Sequence, residues 1–214
     1  ACRYFDEYNH HVLDDPRLQL IVADGRNHLA LTARQYDVII SEPSNPWIAG
    51  IADLMTAEYF QLCHRRLAPG GIACVWLDAY TLDHESYRTV VRTFGSVFEQ
   101  MSIWMTPRGY GDYMLIGFKS EPRVDYEVLA GRMRQEAVAT DLKRIGIEAV
   151  PQFLAHRVMG SQGAAQFAQG APVHTDDNAL VEFAAPRSHA EGRKTHLDVI
   201  EKHRDADLSF LTGG

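Results

Sequence analysis

The sequence predicts an α/β fold, and three observations carry that reading. Over the first 120 residues, short β-rich runs alternate with stretches of helical periodicity. The strand-like runs are almost continuously apolar, which suits parallel strands covered on both faces. The order reads strand, helix, strand, helix, strand, helix and then a hairpin, an α/β sheet with an antiparallel edge.

The first strand is expected at residues 18–23 (LQLIVA), followed by a helix at 27–32. A second strand is expected at 36–41 (YDVIIS) and a helix at 55–67, with Met55, Tyr59, Phe60, Cys63 and Leu67 on one side. His64, Arg65 and Arg66 favour the C-terminal end of that helix, and Pro69 stops it. The turn Pro69-Gly70-Gly71 leads into a third strand at 72–77 (IACVWL). A helix at 84–95 follows, with Asp83 as N-cap and Leu82 and Tyr87 spaced as a hydrophobic staple. Tyr87, Val90, Val91 and Phe94 form its apolar stripe. Strands at 98–105 and 113–119 are separated by Gly109-Tyr110-Gly111, a turn too short for a parallel crossover.

Beyond residue 120 the texture changes. Residues 125–146 read as helical and 150–160 as a short helix, whereas 161–172, rich in Gly, Ala and Gln, reads as loop. A short strand is expected at 179–184 and a helix near 194–204 with a frayed end. The domain reading is therefore an α/β domain over 1–120, a helical extension with a short strand over 121–187, and a polar tail over 188–214.

Composition narrows the function classes. Hydrophobic residues at 46% and charged residues at 23% describe a folded globular chain and exclude collagen, disorder and a bare coiled coil. The charge sum, 21 − 28 = −7, argues against nucleic acid as a partner; it suits cationic small molecules or plain solubility. Cys2, Cys63 and Cys74 lack CxxC spacing, so neither a disulfide framework nor a zinc knuckle is expected, and a reducing, cytoplasmic location is. No apolar run approaches a membrane span, so this segment is expected to make no membrane contact. The chain opens on Ala1 rather than Met and is read as a piece of a longer protein. The ten histidines form no HExxH motif, and Asp176-Asp177 suits capping or an ion pair better than a metal, so no metal site is expected.

Ligands of α/β sheets gather at the carboxyl ends of parallel strands. After the run 18–23 stands Asp24-Gly25, where Asp24 accepts hydrogen bonds either from a ligand or, as N-cap, from the next helix. Gly25 would let the backbone approach a ligand closely. After 36–41 comes Glu42-Pro43-Ser44-Asn45-Pro46-Trp47. Two prolines stiffen this loop and hold Glu42 and Asn45 at the mouth of the sheet. A carboxylate and an amide so placed suit recognition or deprotonation of an amine, against the alternative of a stiffened turn without chemistry. Trp47, Trp76 and Tyr80 are candidate apolar walls, with ordinary packing as the alternative for each.

Asp15-Pro16-Arg17, Asp24-Gly25, Tyr36-Asp37-Val38-Ile39-Ile40, the loop 42–46, Leu54-Met55-Thr56-Ala57-Glu58-Tyr59-Phe60 and Leu67-Ala68-Pro69-Gly70-Gly71 occur in that order. Together they resemble the spermidine synthase (polyamine aminopropyltransferase) family, particularly a divergent branch often fused to a membrane transporter-like segment. Thr175-Asp176-Asp177-Asn178 and Val181-Glu182-Phe183 resemble that branch as well.

The resemblance implies a Rossmann-like, S-adenosylmethionine-dependent methyltransferase-type sheet, here N-terminally truncated and with a helical C-terminal tail. The missing part would hold the first strand, the Gly-rich loop and the ribose-binding acid. Residues 3–23 are accordingly expected to be poorly anchored. It also implies transfer of an aminopropyl group from decarboxylated S-adenosylmethionine, a co-substrate rather than a permanently bound cofactor, to a diamine. In that pattern Asp24 and Gly25 bind the nucleoside, and Glu42 takes the place of the catalytic Asp. Glu42 and Ser44 flank the donor, while Asn45, Trp47 and Tyr80 face the amine. Glu42 keeps the family's charge one methylene further out; Asn45 replaces a second Asp and loses one. A small-molecule polyamine is the expected partner, a homodimer is compatible with the resemblance, and the parent would carry any membrane spans. The alternatives are a methyltransferase using intact S-adenosylmethionine, suggested by Asn45-Pro46-Trp47, and an inactive binding or sensor domain.

Overall fold

The computed structural model describes residues 2–107, 111–205 and 207–213, in two compact units, Ala1–Thr32 and Ala33–Gly214.

The first unit holds short helical turns and one longer helix, α1 (Gly25–Leu31). The Asp24 carboxylate caps it, accepting the Asn27 N–H at 2.7 Å and so satisfying a first-turn donor. The strand expected at 18–23 does not form: the segment takes no regular structure, and Val22 is 94% exposed. Leu18, Leu20 and Ile21 are exposed too. β-branched residues favour a strand only where a neighbouring ladder and a covered face receive them.

In the second unit the chain runs β1 (Tyr36–Ser41), α2 (Ala57–Arg66), β2 (Leu67–Asp78), α3 (His84–Gly95), β3 (Gln100–Met105) and β4 (Asp112–Phe118). β1 and β2 are parallel, with Val38 opposite Ile72 and Ser41 opposite Val75. The expected Pro69–Gly71 turn is absorbed into β2 as an irregularity facing Tyr36 and Val38. A side chain on Gly71 would stand 3.0 Å from the carbonyl oxygens of Tyr36, Asp37 and Ala68, so only glycine lets the strands approach there.

The hairpin forms as expected, with Ile103 opposite Leu115, but it does not lie wholly at the edge. Its return strand β4 lies antiparallel against β2, which puts β3 outboard. A further strand, β5 (Arg157–Gly160), pairs antiparallel with β3 and completes the order β1-β2-β4-β3-β5. Among the described residues of this sheet only β1 and β2 pair in parallel, so the sheet is mixed. Gly109 and Tyr110 lie outside the described residues; Gly111 takes φ +95°. β1 is an edge strand with Ile40 71% exposed and Ile39 buried.

Helices α2 and α3 bury the opposite stripe. The Phe60 and Phe94 rings meet edge-on at 5.0 Å, and Phe94 stacks on Phe98 at 4.6 Å. Tyr87, Val90, Val91 and Phe94 are all buried, as is Leu82. Asp83 caps α3, accepting the Ser86 N–H at 2.9 Å. The helix expected at 55–67 is a 3₁₀ turn, Ala52–Met55, followed by α2, with Thr56 capping between them.

Downstream come α4 (Tyr126–Met133), α5 (Glu136–Arg144), α6 (Val150–Leu154), α7 (Ser161–Phe167), α8 (Leu180–Ala190) and α9 (Leu197–Glu201). Five readings are corrected here. The stretch 125–146 is two helices around a separate cluster of Ala130, Met133, Ile147 and Val150. The stretch 150–160 is a short helix and then β5. The loop expected at 161–172 opens as α7. Its Gly163 marks close packing rather than a turn, since a side chain there would meet Met159 at 2.9 Å. The strand expected at 179–184 is the start of α8. Asn178 Oδ1 accepts the Thr175 N–H, Ala179 takes φ 45°, and the chain turns directly into the helix. The helix expected near 194–204 is confined to α9.

Candidate functional site

The carboxyl ends of β1 and β2 lie side by side because the strands are parallel and in register through Ser41 and Val75. The Ser41 hydroxyl is pinned from α2 by the Tyr59 hydroxyl at 3.1 Å. The chain then leaves the sheet at Glu42, whose side chain is exposed. Glu42 borders an open cleft of about 510 Å³ with Trp76, Thr106, Pro107, Asp112 and Met114. Its charge also reaches Cys74, whose thiol is pushed up first by burial and then by Glu42.

Pro43 and Pro46 fix the backbone on either side of Ser44 and Asn45. Ser44 is exposed, and the Asn45 carbonyl closes a turn by accepting the Ile48 N–H at 3.0 Å. The Asn45 side chain points to the end of β2, where its Nδ2 donates to Asp78 Oδ2 at 3.5 Å.

Asp78 is fully buried and was not singled out from sequence. Its Oδ2 also accepts the Thr81 N–H at 3.1 Å and a short hydrogen bond from the Thr81 hydroxyl. Its Oδ1 has no hydrogen-bond partner among the described residues. Burial pushes the Asp78 carboxyl up, and the donors from Thr81 and Asn45 pull part of the way back.

Tyr80, 45% exposed, follows Asp78 by two residues. Burial and the carboxylates of Asp112 and Asp78 push its phenol up. Asp112 is in turn held by the Trp76 indole, whose Nε1–H donates to Oδ1 at 3.1 Å. Two hydrogen-bonded pairs result, Asn45 with Asp78 and Trp76 with Asp112, the second lining the cleft that Glu42 borders. Asp78 and Asp112 are the residues that sequence reasoning passed over. The signal for Asp78 was available: it closes the second parallel strand as Glu42 follows the first.

Trp47 is turned away from this network. Its indole stacks on the His189 imidazole of α8, and the loop beyond it is tied by Gly50 N–H donating to Glu182 Oε1 at 2.9 Å. Asp24 and Gly25 belong to the first unit. There Asp24 lines a shallow groove with Asn27, His28 and Leu31 while capping α1. A side chain on Gly25 would meet nothing within 4 Å, so the chain itself does not require glycine at that place. No helix among the described residues is long and apolar enough to cross a membrane.

Chemically, a solvent-facing carboxylate at a strand end, an oriented amide and two further carboxylates make a site that can attract a cation and take a proton from it.

A sequence profile of the spermine/spermidine synthase domain matches residues 1–126. The polyamine aminopropyltransferase of Sodalis glossinidius is 28% identical over 170 residues, which cover 75% of this chain and 59% of that protein. The polyamine aminopropyltransferase of an Enterobacter species is 33% identical over 146 residues, 63% of this chain and 48% of that protein. Among solved structures, a probable spermidine synthase from Corynebacterium glutamicum is similar at a TM-score of 0.54 and 21% identity. That likeness covers 81% of this chain and 61% of the other, and at such identity it speaks for the fold. The chain spans about half to three fifths of the length of these curated relatives.

Proposed function

We propose, from the premise that this chain belongs to the spermine/spermidine synthase family, that it provides the amine-acceptor side of an aminopropyltransferase. The reaction is transfer of an aminopropyl group from decarboxylated S-adenosylmethionine to a diamine. The observation that carries this reading is Glu42, an exposed carboxylate on a proline-stiffened loop at the end of a parallel strand, bordering a cleft with Trp76 and Asp112.

A primary amine with a pKa near ~10 arrives as an ammonium and must lose a proton before it can attack. Glu42 attracts the cation and accepts that proton. The freed lone pair forms the new C–N bond at the carbon attached to the sulfonium, the C–S bond breaks, and its electrons neutralise the sulfur, leaving a thioether nucleoside. Asn45 orients the amine chain by hydrogen bonding, and Tyr80 lies beside its methylenes. Trp47 supports the loop from behind. Asp24, Gly25 and Ser44 are read as donor-side contacts from the family resemblance, and Asp24 Oδ1 also caps α1.

The test is mass spectrometry of the products after incubation with decarboxylated S-adenosylmethionine and a panel of diamines. Aminopropylated product is expected, and Glu42→Gln, which keeps the shape but removes the base, should lower turnover by ~10²-fold or more. Methylated product from intact S-adenosylmethionine, or undiminished turnover in the variant, would overturn the assignment.

A further inference from the structure

We propose that Asp78 is a positioning residue that sets acceptor recognition by fixing the orientation of the Asn45 amide. This rests on the reading of Asn45 as an amine contact.

An asparagine amide has one accepting end and one donating end, and which faces a ligand depends on its neighbours. Here the donating end is committed. Asn45 Nδ2 donates to Asp78 Oδ2 at 3.5 Å. Turning the amide over would set its carbonyl oxygen against a buried carboxylate, two acceptors facing each other. Asp78 cannot move aside to permit this, because Thr81 holds the same Oδ2 through both its backbone N–H and its hydroxyl. Asn45 Oδ1 accepts no hydrogen bond among the described residues, so it is the end left for a ligand.

The consequence concerns the acceptor class. A carbonyl oxygen presented with fixed orientation and backed by a carboxylate accepts an N–H from an ammonium or amine, and it rejects groups that only accept. Half-buried Asn45 therefore does part of the work of an anion without carrying a charge itself. The anion stands one residue behind, at the end of β2.

The proposal is tested by titrating 1,4-diaminobutane into the chain by calorimetry, with wild type, Asp78→Asn, Asn45→Ala, the double variant and the exchanged pair Asn45→Asp/Asp78→Asn. Asp78→Asn should weaken binding ~10-fold, the scale of one hydrogen bond to a charged group. Asn45→Ala should weaken it to a similar degree, and the double variant should lose little more, since both act through one contact. The exchanged pair restores a donor–acceptor couple and should recover binding to within ~3-fold of wild type. Additive losses, or an exchanged pair no better than Asp78→Asn, would show that Asp78 only supports the fold. Unchanged binding in Asp78→Asn, or no binding by wild type, overturns the proposal outright. The product assay separates the two ideas: coupled binding losses without aminopropylated product would leave Asp78 orienting Asn45 and remove the reaction.

Discussion

The Trp47 indole lies flat on the His189 imidazole, with ring centroids 4.3 Å apart and planes within 7° of parallel. Three residues further on, the Gly50 N–H donates to Glu182 from the same helix, α8. Two contacts from one downstream helix therefore hold the loop that follows Glu42 and Asn45. Gly50 takes φ +80°, a conformation that glycine adopts without strain. Removing one contact by Glu182→Ala should loosen residues 48–51 and cost about 1 kcal/mol of local stability. The check is amide hydrogen exchange, which should rise across that loop while the amides of β2 keep their protection. Unchanged exchange would mean that Trp47 and the prolines suffice to hold it.

Gly117 is the last residue but one of β4, and glycine within a strand ordinarily weakens it. A methyl group there would collide with the rings of Phe98 and Phe94. Gly117→Ala should destabilise the second unit by roughly 1–3 kcal/mol through forced repacking. The measurement is the denaturation midpoint, which should fall while the slope of the transition stays constant.

How much of this was legible beforehand depends on the kind of signal. β1, α3 and the hairpin could be read because their periodicity, caps and turn lengths are local properties of the chain. Glu42 and Asn45 could be read because they follow a sharply bounded apolar run. Asp78 escaped because the run 72–77 ends on Leu77, and the next residue looks like the start of a connection. Its importance comes from Asn45, a contact across 33 positions of sequence. Strand β5 has only four residues, too few for a pattern, and it exists because β3 offers an edge. Residues 18–23 failed for the converse reason: they carry strand propensity without a ladder.

His174 is fully buried, with its backbone N–H donating to the Thr93 hydroxyl at 2.8 Å and its ring Nε2 at 3.1 Å from the Ala52 carbonyl. Burial lowers its pKa from the ordinary 6.5, partly offset by the contacts to Ala52 and Asn178 and by the charges of Asp53 and Asp176. The neutral ring is thus the form the fold prefers. Its contribution is present above the unfolded value and is lost as pH falls through the lowered folded value. His174→Gln keeps a side-chain N–H for Ala52 without the titration. Between pH 7 and pH 5 the wild-type melting temperature should therefore fall further than that of the variant. Parallel curves would place the acid sensitivity elsewhere.

Asp78 gives the opposite dependence. Its carboxyl is pushed above the ordinary 3.8, chiefly by burial, while hydrogen bonds from Thr81 and Asn45 limit the rise. A carboxyl with a raised folded pKa binds its proton more tightly in the native state than in the unfolded one. Its contribution to stability is complete below the unfolded value and disappears as pH rises through the folded value. Ionisation is the costly event, since Oδ1 is buried without a partner. Asp78→Asn retains an oxygen to accept from Thr81 and cannot ionise. Relative to that variant, wild type should lose stability as pH is raised from below 4 toward neutrality, and the gap should stay constant once Asp78 is ionised. Chemical denaturation of both proteins across that range supplies the comparison. The gap is expected to change little with added salt, because a buried group is poorly screened. A gap that instead widens on acidification would mean that the hydrogen bonds outweigh burial and hold Asp78 as a stabilised anion.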